Sequence, residues 1–408
     1  MADPRPAPER IARDSYGRLV AILAARTRDV AAAEDALADA LAAALERWAS
    51  DGVPDNPEAW LLTVARRRLL DAHRHRSVET EAQATLLMLS DEFVDARARP
   101  FPDERLKLMF ICAHPAIDAA VRTPLMLQAV LGLDAARIAS AFLASPAALS
   151  QRLVRAKQKI RDAAIPFEVP PSADLAERLQ DVLDAIYAAY GAGWNDIDAT
   201  DAKKAGLTAE ARQLAEAAAA LLPGEAEPPG LLALLLFCEA RTAARRDASG
   251  RYVALSEQNV ALWDRELIDA AEALLARASS HGSIGPYQLE AAIQSAHCQK
   301  RLGGAVPDEA LLALYDGLIA LRPSVGAAVS RACVVESMRG AEVALEALAR
   351  LPDDLVRSYQ PYWAVRAHLL QRSGKVGDAL PAFDMAIALA ESPAVKRYLT
   401  EKRAGIVQ

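Results

Sequence analysis

The side chains best placed to do chemistry in this chain are basic. Between residues 61 and 76, five arginines (Arg66, Arg67, Arg68, Arg74 and Arg76) stand against one acid, Asp71. Between 150 and 162, Arg152, Arg155, Lys157, Lys159 and Arg161 stand against Asp162 alone. A basic stripe on a helix is the electrostatic footprint of a nucleic-acid backbone. It is also what a solvated face looks like, with Arg67, Asp71 and Arg74 paired along it. Other reactive side chains are poorly arranged. Cys112 and His114 lie two apart, His297 and Cys298 are adjacent, and neither pair has further ligands nearby, so no metal site is expected; both pairs are expected in cores. Asp196, Asp198 and Asp201, after Tyr187, Tyr190 and Trp194, lack the glycine and closing glutamate of a calcium loop and read as a helix end and an acidic loop. No Ser/His/Asp set, phosphate loop or metal cluster is present, so neither an enzyme nor a cofactor is expected.

The elements that must carry the stripes are helices. Of 408 residues, 52% are apolar and only 5% aromatic, so alanine and leucine dominate and an all-α fold is expected. The length suggests two or three domains. Four dispersed cysteines without a CxxC pair argue against a disulfide framework or zinc ribbon. No run reaches the roughly 18–20 apolar residues of a membrane span, and the N-terminus lacks a signal-peptide core, so a cytoplasmic protein without membrane contact is expected. The net charge of −7 is unevenly spread: residues 1–170 hold 23 bases and 23 acids, and the remainder holds 24 and 31. Two basic stripes therefore sit in a neutral half, ahead of an acidic one.

Residues 10–48 read as a helical hairpin, with Ala36, Leu37, Ala40, Leu41, Ala44, Leu45 and Trp48 on one face. A loop over 50–57 ends with Asn56 as N-cap and Pro57 at the first helical position, opening a helix to about Arg76. Pro100 and Pro102 bound a polar linker over 77–102. A second helical unit follows over 103–164. Within it, Asp134 caps a short helix, and Ser145 with Pro146 starts another whose apolar residues Leu149, Leu153, Ala156 and Ile160 share a face. Capped helix, short turn and capped helix form a helix-turn-helix candidate, with its basic residues outward. Beyond Pro166, Pro170 and Pro171, residues 172–400 are helical and alanine-rich. The spacing of Trp363, Ala367, Leu370, Gly374, Ala379, Phe383 and Ala386 matches one tetratricopeptide (TPR) unit, with weaker copies near Tyr287 and Val325.

Residues 10–163 resemble the two-domain core of an extracytoplasmic-function (ECF) sigma factor, the promoter-recognition subunit of bacterial RNA polymerase. The resemblance rests on residues 33–41 (region 2.2), on 56–74 (regions 2.3 and 2.4) and on 132–157, including Ile138-Ala139, Ser145 and Arg152-Leu153-x-Arg155-Ala156-Lys157 (region 4). The rest resembles the subgroup with a large TPR-like helical extension, to which Leu262-Trp263-Asp264-Arg265 also fits.

The resemblance implies two small sigma domains followed by a TPR-like domain, with core polymerase and promoter DNA as partners. Glu34, Asp35 and Asp39 would dock on the clamp helices of the polymerase largest subunit, and region 4 would lie near its flap. Asp51 through Asn56 would line a pocket for a flipped base of the −10 element, with Arg66, Arg67 and Arg74 tracking the backbone. The helix from 146 would enter the major groove at the −35 element. There Ala147, Ala148, Ser150 and Gln151 would face base edges, and Arg152, Arg155 and Lys157 would meet bases or phosphates.

The sequence departs from the family pattern at Ala38, where many members carry Gln, and at Arg67, where Asn is frequent. Ala148 and Ser150 are smaller than usual, and residues 112–118 form an irregular approach to region 4. The acidic extension would complement the basic helices, so an intramolecular contact with the sigma domains is expected, and the extension would regulate or support activity. The competing reading is a helix-turn-helix regulator fused to a TPR scaffold, binding an operator without polymerase.

Overall fold

The computed structural model describes residues 7–76, 103–142, 145–168, 170–197 and 206–407. The expected linker at 77–102 lies outside them, as do Asp198 and Asp201. The fold is all-α. Nineteen α-helices and three short 3-10 helices account for the regular structure of the described residues. Extended pairing among them is confined to an isolated antiparallel bridge between Arg246 and Tyr252. No helix among the described residues is long and apolar enough to cross a membrane. The chain divides into two compact units, Met1–Gly193 with Lys203–Leu221, and Trp194–Ala202 with Leu222–Gln408.

The first unit opens with α1 (Ala7–Thr27), α2 (Val30–Asp51) and α3 (Pro57–Arg76), which pack on one another. Arg28 takes a positive φ of 55° between α1 and α2. Asp29 then caps α2, its carboxylate accepting from the Ala32 N–H at 3.0 Å, as an N-cap acid should. The expected apolar face of α2 is buried at Ala36, Leu37, Ala40, Ala44 and Trp48, while Leu45 is half exposed. Four more helices follow: α4 (Glu104–Cys112), α5 (Ala119–Ala129), α6 (Ala135–Ala141) and α7 (Pro146–Asp162). Two further helices, α8 (Ser172–Trp194) and α9 (Leu207–Leu221), come from the stretch read in sequence as extension, yet their contacts run to α4 and α5. Arg178 of α8 is buried and donates to the Phe110 carbonyl at 3.3 Å. Arg122 pairs with Asp181 at 2.8 Å, and Arg105 with Glu210 at 2.9 Å.

The second unit is organised around α10 (Glu227–Glu239), buried along every face from Pro228 to Phe237 and packed between α11 (Arg265–Ser279) and α12 (Pro286–Arg301). The helices α13 (Asp308–Leu321), α14 (Val325–Arg339), α15 (Ala341–Ala349), α16 (Asp353–Val356), α17 (Gln360–Arg372), α18 (Val376–Leu389) and α19 (Pro393–Val407) continue the array. Successive cores share helices. Ile293, Tyr315 and Val334 form one cluster. Val329, Leu348 and Leu369 form the next, and Ala367, Phe383 and Leu399 a third. Neighbouring helices thus bury their apolar faces against one another, and α19 also reaches back to the loop before α11, where Tyr398 meets Tyr252 edge to face at 5.5 Å.

Candidate nucleic-acid interface

The corner between α2 and α3 is fixed locally. Gly52 takes a φ of 82°, a region that costs a side-chain-bearing residue energy but not glycine. Asn56 caps α3, its side-chain oxygen accepting from the Ala59 N–H at 3.1 Å. Trp48 and Trp60 stack edge to face across the corner at 5.3 Å. Glu58, in the first turn of α3, accepts from Ser15 and Arg18 of α1. Asp51 is exposed at the end of α2, and its carboxylate accepts from Ser50 Oγ at 2.8 Å. On α3, Arg67 and Arg68 are exposed and Arg66 is half-buried. Arg74 lies on the same helix, but its side chain is outside the described residues.

The α6–α7 pair has helix-turn-helix form. Asp134 caps α6, accepting from the Arg137 N–H at 3.0 Å. Ser145 caps α7 through the Ala148 N–H, with Pro146 in the first turn. Leu149, Leu153, Ala156 and Ile160 are buried as expected. Ala147, Ala148, Ser150, Gln151, Arg152 and Arg155 are all exposed, a single outer surface with four small or polar residues toward the N-terminal end. Val154 is 67% exposed on that surface. Sequence reading passed over it, because a valine at that spacing carries no polar signal.

Lys157 does not join that surface. It turns toward α2, where its Nζ donates to Glu34 Oε2 at 2.5 Å, and the two side chains are only 11% and 15% exposed. Next to them Arg161 pairs with Asp29 at 3.4 Å. Asp35 and Asp39 stay exposed on α2. Of the residues expected to meet different partners, Glu34 and Lys157 are thus brought together. Burial raises the Glu34 carboxyl above its ordinary value although Lys157 pulls the other way. The surrounding joint is tight. A Cβ on Gly17 of α1 would lie 1.7 Å from the Val130 carbonyl oxygen. Gly132, at a φ of 65°, has the Tyr16 ring against it at 3.1 Å from where its Cβ would be. Gly17 carried no sequence signal, since its demand for a bare Cα arises from the other helix, whereas Gly132 is also favoured by its own left-handed backbone.

Cys112 is fully buried and its thiol is pushed up to about 12. His114 departs from the expected core placement. It is half exposed, its Nδ1 accepting from the Ala116 N–H at 3.1 Å, because Pro115 turns the chain outward. In the second unit Cys298 is buried, and burial drives the half-buried His297 down to about 4. No group of three potential metal ligands occurs among the described residues. The acidic loop after Trp194 begins beside Arg245, which donates to the Trp194 carbonyl at 2.8 Å and covers its ring at 3.8 Å.

Residues 11–78 match Sigma-70 region 2, which spans α1 to α3. Residues 178–279 match a family of unknown function, DUF6596. An uncharacterized protein of Rhizobium meliloti (strain 1021) is 36% identical over 381 residues, covering 91% of this chain and 89% of its own length. A protein of Xanthomonas campestris pv. campestris named as the probable RNA polymerase sigma factor RfaY is 32% identical over 164 residues, covering 37% of this chain and 40% of its own. The region 2 match across the first three helices, with the partial likeness to a probable sigma factor, supports a sigma-70 family member.

Proposed function

We propose that this protein is an RNA polymerase sigma factor of the ECF type, directing promoter-specific initiation without catalysis of its own. In this reading α2 docks on core polymerase through Glu34, Asp35 and Asp39. The loop from Asp51 to Asn56 holds an unstacked base of the −10 element, and Arg66, Arg67 and Arg74 follow its backbone. The exposed surface of α7 reads the −35 element. The second unit is a TPR-like array that regulates or supports these steps.

The observation that carries the reading is the pairing of a region 2 match over 11–78 with a capped helix-turn-helix in the same compact unit. Sequence-specific binding by α7 needs its polar residues free at a base edge, and Ser150, Gln151, Arg152 and Arg155 are exposed there.

Run-off transcription with core polymerase and fragmented genomic DNA tests this. Full-length protein is expected to yield discrete promoter-specific transcripts and to bind promoter duplex only weakly without polymerase. No transcript from any fragment, or tight duplex binding in the absence of polymerase, would overturn it. A chain ending at Leu222, which keeps α8 and α9 with the helices they pack on, tests the extension. Unchanged transcription would remove its regulatory role.

A further inference from the structure

Val154 is 67% exposed, although the other large apolar residues of α7, Leu149, Leu153 and Ile160, are buried. It lies three and four places past Gln151 and Ser150 and seven past Ala147, so the four share one strip of the helix surface, and all four are exposed. The fold gives no reason for a valine there. Its branched side chain lowers helix propensity relative to alanine and buries nothing in return. The strip closes just beyond it, where Gln158 donates to Asp162 at 3.0 Å and accepts from Arg161. From Ala147 to Val154 it runs about 10 Å at roughly 1.5 Å per residue, the length of about three base-pair steps at ~3.4 Å each.

Resting on the sigma-factor reading above, we propose that Val154 determines specificity at the −35 element by seating the C5-methyl group of a thymine in the major groove. That methyl is the apolar mark that distinguishes thymine among the base edges presented there, the rest being hydrogen-bond donors and acceptors. Ser150 and Gln151 suit the donors and acceptors and gain nothing from facing a methyl. Ala147 offers only a Cβ. Val154 is the longest apolar side chain on the strip, and in a helix its χ1 is held almost entirely in one rotamer. Its two methyl groups are therefore in place before DNA arrives, and little side-chain entropy is lost on contact. The surroundings favour DNA over an apolar protein surface. Arg155 beside it and Arg152 on the preceding turn are exposed, where phosphate contacts would fix the register of the helix in the groove.

The test uses the full-length chain with core polymerase on a promoter identified by run-off transcription. Each thymine of the −35 element, on either strand, is replaced in turn by deoxyuridine, which keeps the base pair and removes only the methyl. Promoter binding is expected to weaken at one thymine by about fourfold, the factor equivalent to ~0.8 kcal/mol for one buried carbon group. Val154→Ala is expected to weaken binding to the unmodified promoter by at least as much, and to show no further loss with deoxyuridine at that position. Alanine favours a helix more than valine does, so the thermal midpoint of this variant should not fall, which separates the loss from a folding defect. Deoxyuridine sensitivity at no position, a −35 element without an A·T pair, or a sensitivity that Val154→Ala retains in full overturns the assignment. A loss equally large in binding core polymerase without DNA sets the valine against polymerase and overturns it too. If the wild type yields no promoter-specific transcript, the sigma-factor reading itself fails, and the role of Val154 falls with it.

Discussion

In the first unit Glu34 and Lys157 come from helices 123 residues apart and meet as ions. In the second, Glu227 gives its carboxylate to backbone, accepting from the Tyr287 N–H at 2.9 Å and the Gln288 N–H at 3.1 Å at the start of α12. Arg241 is likewise tied to main chain, donating to the Phe237 carbonyl at 3.2 Å as well as to Gln294 at 2.8 Å. Gly285 lets Glu227 in: a Cβ there would lie 2.2 Å from the carboxyl carbon. Ion partners on two helices can separate into water and meet again. Backbone donors at a helix start have no partner within their own helix, so losing the capping carboxylate leaves them unsatisfied. Buried charge is thus used at a joint in one unit and as a built-in cap in the other.

The sharpest way to break that contrast is to remove one partner from each. Lys157→Ala leaves Glu34 as an uncompensated, mostly buried carboxylate, and is expected to cost the first unit about 3 kcal/mol. Glu227→Ala removes a helix cap and is expected to cost the second unit about 1–2 kcal/mol. Urea unfolding, with hydrogen exchange to localise each loss, gives both numbers. If Glu227→Ala proved the more costly, the joint would be the lesser use of buried charge.

Acid separates the units in a second way. His297 is held neutral, with a value near 4, so the folded second unit refuses a proton that the unfolded chain accepts below about pH 6.5. Its stability is fully present above that pH and falls as the pH drops toward 4, by about 3 kcal/mol. Glu34 acts with the opposite sign. Burial raises its pKa, so the folded first unit holds the proton better than the unfolded chain. Its contribution is present below the ordinary carboxylate range and is lost as the pH rises through the raised value. Between pH 7 and 4.5 the urea midpoint reported by amides of α12 and α13 should fall, and His297→Gln should flatten that fall. An unchanged midpoint in the wild type would mean that His297 is protonated in the folded unit.

Much of this was legible in the sequence because it is local. The caps at Asn56, Asp134 and Ser145 are set by the residue types and the proline or apolar run that follows. The buried face of α7 follows from helical periodicity alone. The two basic stripes looked equivalent for the same reason: a count over a window sees charge but not direction. Direction is decided across the fold. Lys157 and Arg161 turn inward because Glu34 and Asp29 happen to lie opposite, and nothing between residues 150 and 162 announces an acid more than 100 residues earlier. The same holds for Gly17 and Gly285, whose need for a bare Cα is imposed by another helix. The extension boundary was similarly drawn on local punctuation. Pro166, Pro170 and Pro171 interrupt the helices, but Arg178, Asp181 and Glu210 beyond them bind back to α4 and α5.

The two stripes give the finest form of the contrast between charge used inside and charge left for a partner. Arg155 of α7 and Arg67 of α3 are exposed, so replacing either by alanine should change unfolding free energy by no more than about 0.5 kcal/mol. Their effect should appear against DNA instead. An exposed base that meets one phosphate contributes roughly 0.9 to the salt slope of duplex binding, and about 0.7 for a single strand. Measured on the polymerase-bound complex, Arg155→Ala should flatten the salt dependence by about one on duplex bearing the −35 element, and Arg67→Ala by slightly less on single-stranded −10 DNA. If both variants lose stability and keep the slope, the outward bases belong to the fold after all. If Lys157→Ala flattens the slope as much as Arg155→Ala does, Lys157 must have left Glu34 in the bound state.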